Sequence, residues 1–188
     1  NIPYIDISSQ NLIIKKKLLH AANQVIEHGQ FINGPEVSML EDQLSEYLGT
    51  KYVIGVANGT AALYLSLRGL GIGKGSEVIT VANSYLATVS SVALTGATPI
   101  LIDVDASMNM DPNLLEKAIT SKTKAILPVH LTGKPARIIE ICEIAKKYNI
   151  PVIEDAAQAI GAEYNGKKIG SFGKSACFSL HPLKNLSA

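Results

Sequence analysis

Val152-Ile153-Glu154-Asp155-Ala156-Ala157-Gln158-Ala159-Ile160-Gly161-Ala162, followed after a glycine-punctuated passage by Ala176-Cys177-Phe178-Ser179-Leu180-His181-Pro182-Leu183-Lys184-Asn185-Leu186, decides how this chain reads. Each half is an apolar run that ends in polar groups. Glu154, Asp155 and Gln158 close the first; Ser179, His181 and Lys184 close the second. An apolar run bounded by turn signals is the pattern of a strand buried in a parallel sheet. Ligands of open α/β sheets bind at the carboxyl ends of such strands. The pattern therefore sets an acid, an amide, a hydroxyl and a lysine around one crevice.

Working back from this stretch, strand and helix alternate. Residues 52–57, 77–81, 98–104 and 124–129 read as strands, and residues 61–69, 87–94, a segment from Pro112, and 135–148 as helices between them. That rhythm predicts an α/β fold with a mostly parallel sheet flanked by helices. Asn165-Gly166 centres a hairpin turn. Ahead of the alternation come an extended lead-in (residues 1–9) and two amphipathic helices, 10–28 and 36–48, stopped by Gly29 and Gly49. Ile14, Leu18, Ala21, Ala22 and Val25 recur at helical spacing in one; Val37, Leu40, Leu44, Tyr47 and Leu48 share a face of the other.

Composition narrows the function. With 188 residues, 47% of them hydrophobic, the chain can bury a real core. Its 17 basic and 16 acidic residues are interspersed, which gives no reason to expect a nucleic-acid partner or an anionic membrane. Cys142 and Cys177 lie in apolar runs without paired spacing and read as buried free thiols of a reducing compartment. No apolar run reaches the ~20 residues of a membrane span, and no signal-peptide pattern opens the chain, so the expected location is cytoplasmic. The glycines of residues 69–75 imitate a dinucleotide fingerprint, but they follow a helix and the third is misplaced; they read as a helix end and loop. Asp103 and Asp105, with no histidine nearby, are weak evidence for a metal, and none is expected.

The strand-end groups have a chemical meaning together. A lysine can form a Schiff base with an aldehyde cofactor, and a carboxylate can hold that cofactor's pyridine nitrogen protonated. The motifs E-D-A-A-Q-A-x-G-A (Glu154 onward) and F-S-x-H-P-x-K-N-L (Phe178 onward) resemble the nucleotide-sugar aminotransferases of the DegT/StrS type. Those enzymes depend on pyridoxal 5'-phosphate (PLP) and have the aspartate-aminotransferase fold, fold type I. The resemblance runs over essentially the whole chain. It implies that residues 1–188 are the N-terminal portion of a PLP-binding large domain, with no second domain in this chain. Family members are about twice as long, so the chain reads as a truncated piece without the small C-terminal domain.

The resemblance also assigns roles. Lys184 becomes the Schiff-base residue and Asp155 the partner of the pyridine nitrogen; a sugar-dehydrating branch of the family carries histidine in place of the lysine. Gln158 would reach the phenolic oxygen, and Ser179 the phosphate. Asn58-Gly59-Thr60 precedes a helix whose start suits a phosphate, although Asn58 could equally be a plain cap. The family places a Ser-Gly-Thr phosphate site there. Because Asn58 stands where serine is commoner, the amides of Thr60 and Ala61 are a safer assignment than the Asn58 side chain, with Gly59 beside them in the cofactor site. Tyr85, ahead of Leu86-Ala87-Thr88, either packs in the core or stacks on the cofactor ring as the family's aromatic does. His130 and His181 are weaker candidates for substrate contact. Glu154 receives no role; strand alternation points it away from Asp155. The F-I-x-G-P-x-V stretch from Phe31 would lie near the substrate mouth.

The resemblance implies transfer of an amino group from an amino acid, glutamate in the family, to a keto group on a nucleotide-linked deoxysugar. The product would serve polysaccharide or glycosylated-metabolite synthesis, in a homodimer with a shared active site. Another fold-type-I PLP enzyme, or a non-catalytic relative, is the alternative.

Overall fold

The computed structural model describes Ile2 and residues 6–186. Of the expected extended lead-in (residues 1–9), residues 1 and 3–5 lie outside the described residues, and residues 7–9 belong to a helix instead. The described chain forms two compact units: residues up to Tyr47 with Lys51–Gly55, and Leu48–Thr50 with everything from Val56 onward.

The first unit holds α1 (Ile7–His28) and most of α2 (Pro35–Leu48). Helix α1 starts three residues earlier than its apolar spacing predicts, because the Asp6 carboxylate accepts the Ser9 amide at 3.0 Å and caps the end. Gly29, at φ +70°, ends it in the left-handed conformation that a side chain would resist. Beyond it, His28 Nδ1 accepts the Gln30 amide while Nε2 lies 3.0 Å from Glu36 Oε1. No side chain of α1 is buried, so its apolar spacing finds no core among the described residues.

The second unit carries the sheet. Strands β1 (Glu77–Val81), β2 (Thr98–Ile102) and β3 (Thr123–Ile126) pair in the order β2-β1-β3, all parallel. Strand β4 (Ile153–Asp155) pairs in parallel with β7 (Ser175–Cys177). The bridges Ile126–Val152 and Val129–Asp155 join the two groups. Helices α3 (Gly59–Gly69) and α4 (Leu86–Leu94) supply Leu63, Leu67 and Val92 to one apolar cluster, with Val78, Ala125, Leu127, Ile153 and Cys177 from the sheet. Helices α5 (Pro112–Ala118) and α6 (Ile138–Lys147) supply Leu115, Ile138, Ile141 and Ala145 to the other, with Ile79, Val81, Ile126 and Val152. Successive strand residues thus serve opposite faces, as a pleated strand requires. Burying these side chains is the main favourable term, at roughly 25 cal/mol per Å² of apolar surface.

Three expectations are corrected. Residues 52–57 form no strand: Tyr52 and Ile54 are largely exposed, and no neighbouring strand pairs with them in the described chain. An apolar run without a ladder partner stays irregular. Strand β2 stops at Ile102, because Val104 leaves the parallel ladder for an antiparallel bridge with Met110. Helix α6 begins at Ile138 rather than Pro135. The hairpin of β5 (Glu163–Tyr164) and β6 (Lys167–Lys168) forms as expected, with Asn165 and Gly166 at φ +50° and +75°, both on the left-handed side that a primed turn needs. No helix of the described residues is long and apolar enough to cross a membrane.

Candidate active site

Strand β4 ends in two acids that its pleat sends to opposite faces. Asp155 turns toward α4, where Thr88 Oγ1 donates to its Oδ2 at 2.7 Å and the Ala157 amide donates to Oδ1 at 3.3 Å. Burial pushes the Asp155 carboxyl above the usual carboxylate range; the bonds from Thr88 and Ala157 and the nearby Lys184 charge pull the other way without cancelling it. A buried carboxylate held by so few donors is poised for a cationic partner.

Glu154 turns to the other face and has no exposed surface. Burial pulls its pKa up, but bonds from His130, Gly173 and Gly170 outweigh that and set it below the ordinary value. Its Oε1 accepts the amides of Phe172 and Gly173, and its Oε2 accepts the amide of Gly170 at 2.9 Å. His130 Nδ1 accepts the Ala136 amide, so its proton sits on Nε2, directed at Glu154 Oε2 3.2 Å away. This corrects the reading of His130 as a substrate contact: it is fully buried and both ring nitrogens are engaged within the protein. The sequence reading gave Glu154 no role. The available signal was an acid enclosed by apolar residues on both sides, which must be satisfied internally.

Gln158 follows one turn after Asp155. Its Oε1 accepts the Thr132 amide at 2.7 Å, which leaves the carboxamide N–H₂ as the group it can offer a ligand. Thr132 sits in the short 3-10 turn Leu131–Gly133 at φ +55°, a conformation rare for a β-branched residue. Thr132, Gln158, Leu183, Lys184 and Asn185 line a cleft of about 450 Å³. Lys184 therefore shares a wall with Gln158 and is close enough to Asp155 for its charge to act on it. A hollow of about 550 Å³ lies at the amino ends of β3 and β4, where Thr120 bonds Glu77 and Tyr148 bonds Glu116.

At the start of α3 the Asn58 side chain accepts the Ala61 amide at 2.9 Å. The cap reading is therefore realised, and the Ala61 amide is committed to it. The Gly59 and Thr60 amides lie in the first turn, where an α-helix offers no acceptor of its own. A Cβ on Gly59 would come within 3.1 Å of Ser179 Cβ and 3.3 Å of the Phe178 carbonyl, so glycine lets the helix start meet the end of β7. Tyr85 is the largely exposed N-cap of α4, three residues ahead of Thr88. His181 is exposed, and its Nδ1 accepts the Leu183 amide in the turn that carries Lys184.

These residues fit PLP. A helix start beside a serine suits the phosphate, a buried acid suits the pyridine nitrogen, and Lys184 lines the same cleft as Gln158.

Fold and site define an α/β protein whose ligand cleft opens at the carboxyl edge of a parallel sheet. The model of the DegT/DnrJ/EryC1/StrS aminotransferase family matches residues 12–188. The UDP-2-acetamido-2-deoxy-3-oxo-D-glucuronate aminotransferase of Pseudomonas aeruginosa is 50% identical over 186 residues, 98% of this chain and 52% of that protein. The dTDP-3-amino-3,6-dideoxy-alpha-D-galactopyranose transaminase of Aneurinibacillus thermoaerophilus is 48% identical over 179 residues, 95% of this chain and 49% of that one. The crystal structure of S. venezuelae DesV in complex with a ketimine intermediate superposes with a TM-score of 0.95 at 41% identity, covering 98% of this chain and 50% of that one. The chain belongs to the DegT/DnrJ/EryC1/StrS aminotransferase family, and it spans about half the length of the curated relatives it matches.

Proposed function

We propose that this protein is a PLP-dependent aminotransferase that moves an amino group from an amino acid to a keto group on a nucleotide-linked sugar. The observation that carries the reading is the pairing of Asp155, a buried carboxylate held by Thr88, with Lys184, whose charge acts on it and which lines one cleft with Gln158. The relatives named for UDP- and dTDP-linked sugars support the substrate class. When bound, PLP supplies an electron sink for the carbon that loses its proton.

The chain's own groups do the rest. Gly59 and Thr60 amides and the Ser179 hydroxyl bind the phosphate, and Tyr85 covers the ring. Asp155 holds a proton at the pyridine nitrogen, and the Gln158 N–H₂ donates to the phenolic oxygen. Lys184 would anchor the cofactor; once displaced, its Nζ would take the proton from the substrate carbon and pass it to the cofactor carbon, as general base and then acid. His181 borders the substrate side. Glutamate as donor, a homodimer with a shared site, polysaccharide synthesis and a cytoplasmic location complete the proposal.

Mixing the protein with PLP and recording visible absorption before and after borohydride tests it. A band that borohydride converts to a stable adduct is expected, together with amine transfer to a UDP- or dTDP-linked keto-sugar. Failure to bind PLP would overturn the reading.

A further inference from the structure

We propose that Thr88, backed by Ser84, is a positioning residue that fixes the Asp155 carboxylate in its buried site and favours its ionised form through a two-step hydroxyl relay. The inference rests on the role of Asp155 proposed above, but its geometry stands by itself. Thr88 is 1% exposed and its Oγ1 donates to Asp155 Oδ2 at 2.7 Å. Ser84 Oγ lies 2.7 Å from the same Oγ1. A threonine hydroxyl has one proton, and Thr88 spends it on Asp155. The Ser84 hydroxyl must therefore donate into Thr88, and both dipoles point at the carboxylate. Bonds aligned in this way strengthen one another, most of all where water is excluded.

Backbone packing fixes the arrangement. Thr88 stands in the first turn of α4, its amide bonded to the Tyr85 carbonyl and its carbonyl accepting the Ser91 hydroxyl. The same turn that presents Tyr85 to solvent thus aims Thr88 inward at the sheet. Asp155 is held on its own side by the ladder: its amide donates to the Pro128 carbonyl, and its carbonyl accepts the His130 amide. The distance between the two groups is set by two rigid elements.

The relay answers a need that the charged neighbours do not meet steadily. Lys184 favours the ionised carboxylate, but its charge changes when its amine is engaged. His130 lies near, yet both its ring nitrogens are engaged elsewhere, Nε2 with Glu154 and Nδ1 with the Ala136 amide. Glu154 faces away into its own knot of amides. Cys177 is a thiol pushed up to about 12, chiefly by burial, and stays neutral. The Ala157 amide is a constant donor, but at 3.3 Å a longer one. Thr88 is the short, charge-independent donor that opposes burial.

The test compares Thr88→Val, which keeps the shape without the hydroxyl, with Thr88→Ser, which keeps the hydroxyl. Carbon-13 NMR of labelled aspartate in cofactor-free protein, assigned with Asp155→Asn, reads the Asp155 titration directly. PLP affinity across pH, from fluorescence quenching, is the second readout. Thr88→Val is expected to move the Asp155 midpoint to higher pH and to displace the acid limb of the affinity profile with it, weakening PLP binding about tenfold on that limb. Thr88→Ser should follow the parent protein. A purely structural role would weaken binding evenly across pH and leave the midpoint in place, which would overturn the proposal. So would a Thr88→Ser protein shifted as far as Thr88→Val. Ser84→Ala, which removes only the outer hydroxyl, should move the midpoint in the same direction by less; no movement there overturns the relay even if Thr88→Val fails to fold. The midpoint is read without cofactor, so a failure of Asp155 to matter for PLP would appear separately, as unchanged PLP binding in Asp155→Asn.

Discussion

His130 Nε2 lies 3.2 Å from Glu154 Oε2, and neither side chain has any exposed surface. With three backbone amides also on Glu154, this carboxylate ties the turn at residues 170–173 and the segment that follows β3 to β4. Because its folded pKa lies below the unfolded value of ~4.3, its contribution is present above that pH and is lost as pH falls through the depressed value. Glu154→Gln puts an N–H₂ against donors, and should cost ~3 kcal/mol at pH 7. Urea unfolding at pH 7 and pH 4 checks this: the difference from the parent protein should shrink at the lower pH. Equal stability at pH 7 would contradict it.

Asp155 has the opposite sign. Its raised pKa means that its stabilising contribution is present below the unfolded value of ~3.9 and is lost as pH rises through the folded one. As pH rises past the unfolded value, the buried Asp155 side chain becomes a cost to the cofactor-free fold. Asp155→Asn should therefore raise the melting temperature of cofactor-free protein at pH 7 by a few degrees, while slowing proton abstraction by roughly two to three decades. A calorimetric scan and a single-turnover measurement make the pair. A variant that melts lower and turns over normally would refute both halves.

Gly170 sits at φ +96°, and a Cβ there would come within 2.4 Å of Phe178 Cζ. Gly170→Ala combines an unfavourable backbone with overpacking, next to the amide that Glu154 accepts. A loss of ~2 kcal/mol is expected in chemical denaturation. An unchanged midpoint would show that the turn yields freely.

Asn58 separates folding from binding. Asn58→Ala removes the cap on the Ala61 amide and should cost ~1 kcal/mol. The same change releases that amide to a phosphate, so PLP affinity should not fall with the stability. Thermal melts and PLP titration on the same samples would show the split; a parallel loss of both would tie Asn58 to the phosphate itself.

Much of this was legible because periodicity and turn chemistry act locally. Asp111-Pro112 opens α5 and Asn165-Gly166 turns the hairpin, each through short-range backbone preferences. The run at residues 52–57 was misread because a strand exists only when a partner ladders with it, and no local pattern contains the partner. Asp155 and Gln158 stood out by position, but the division of labour between the two acids did not. Glu154 depends on amides sixteen to nineteen residues away, and Thr88 reaches Asp155 across 67 positions. Such contacts are set by the packing of α4 and the 170–173 turn on the sheet.

In the proposed function, Lys184 is the lysine that PLP engages. Borohydride reduction of the PLP-treated protein, followed by peptide mass mapping, tests it most directly. The expected result is one phosphopyridoxyl group, on the peptide containing Lys184, and none in a folded Lys184→Ala variant. A label on a different lysine, or one that persists in the variant, would contradict the account.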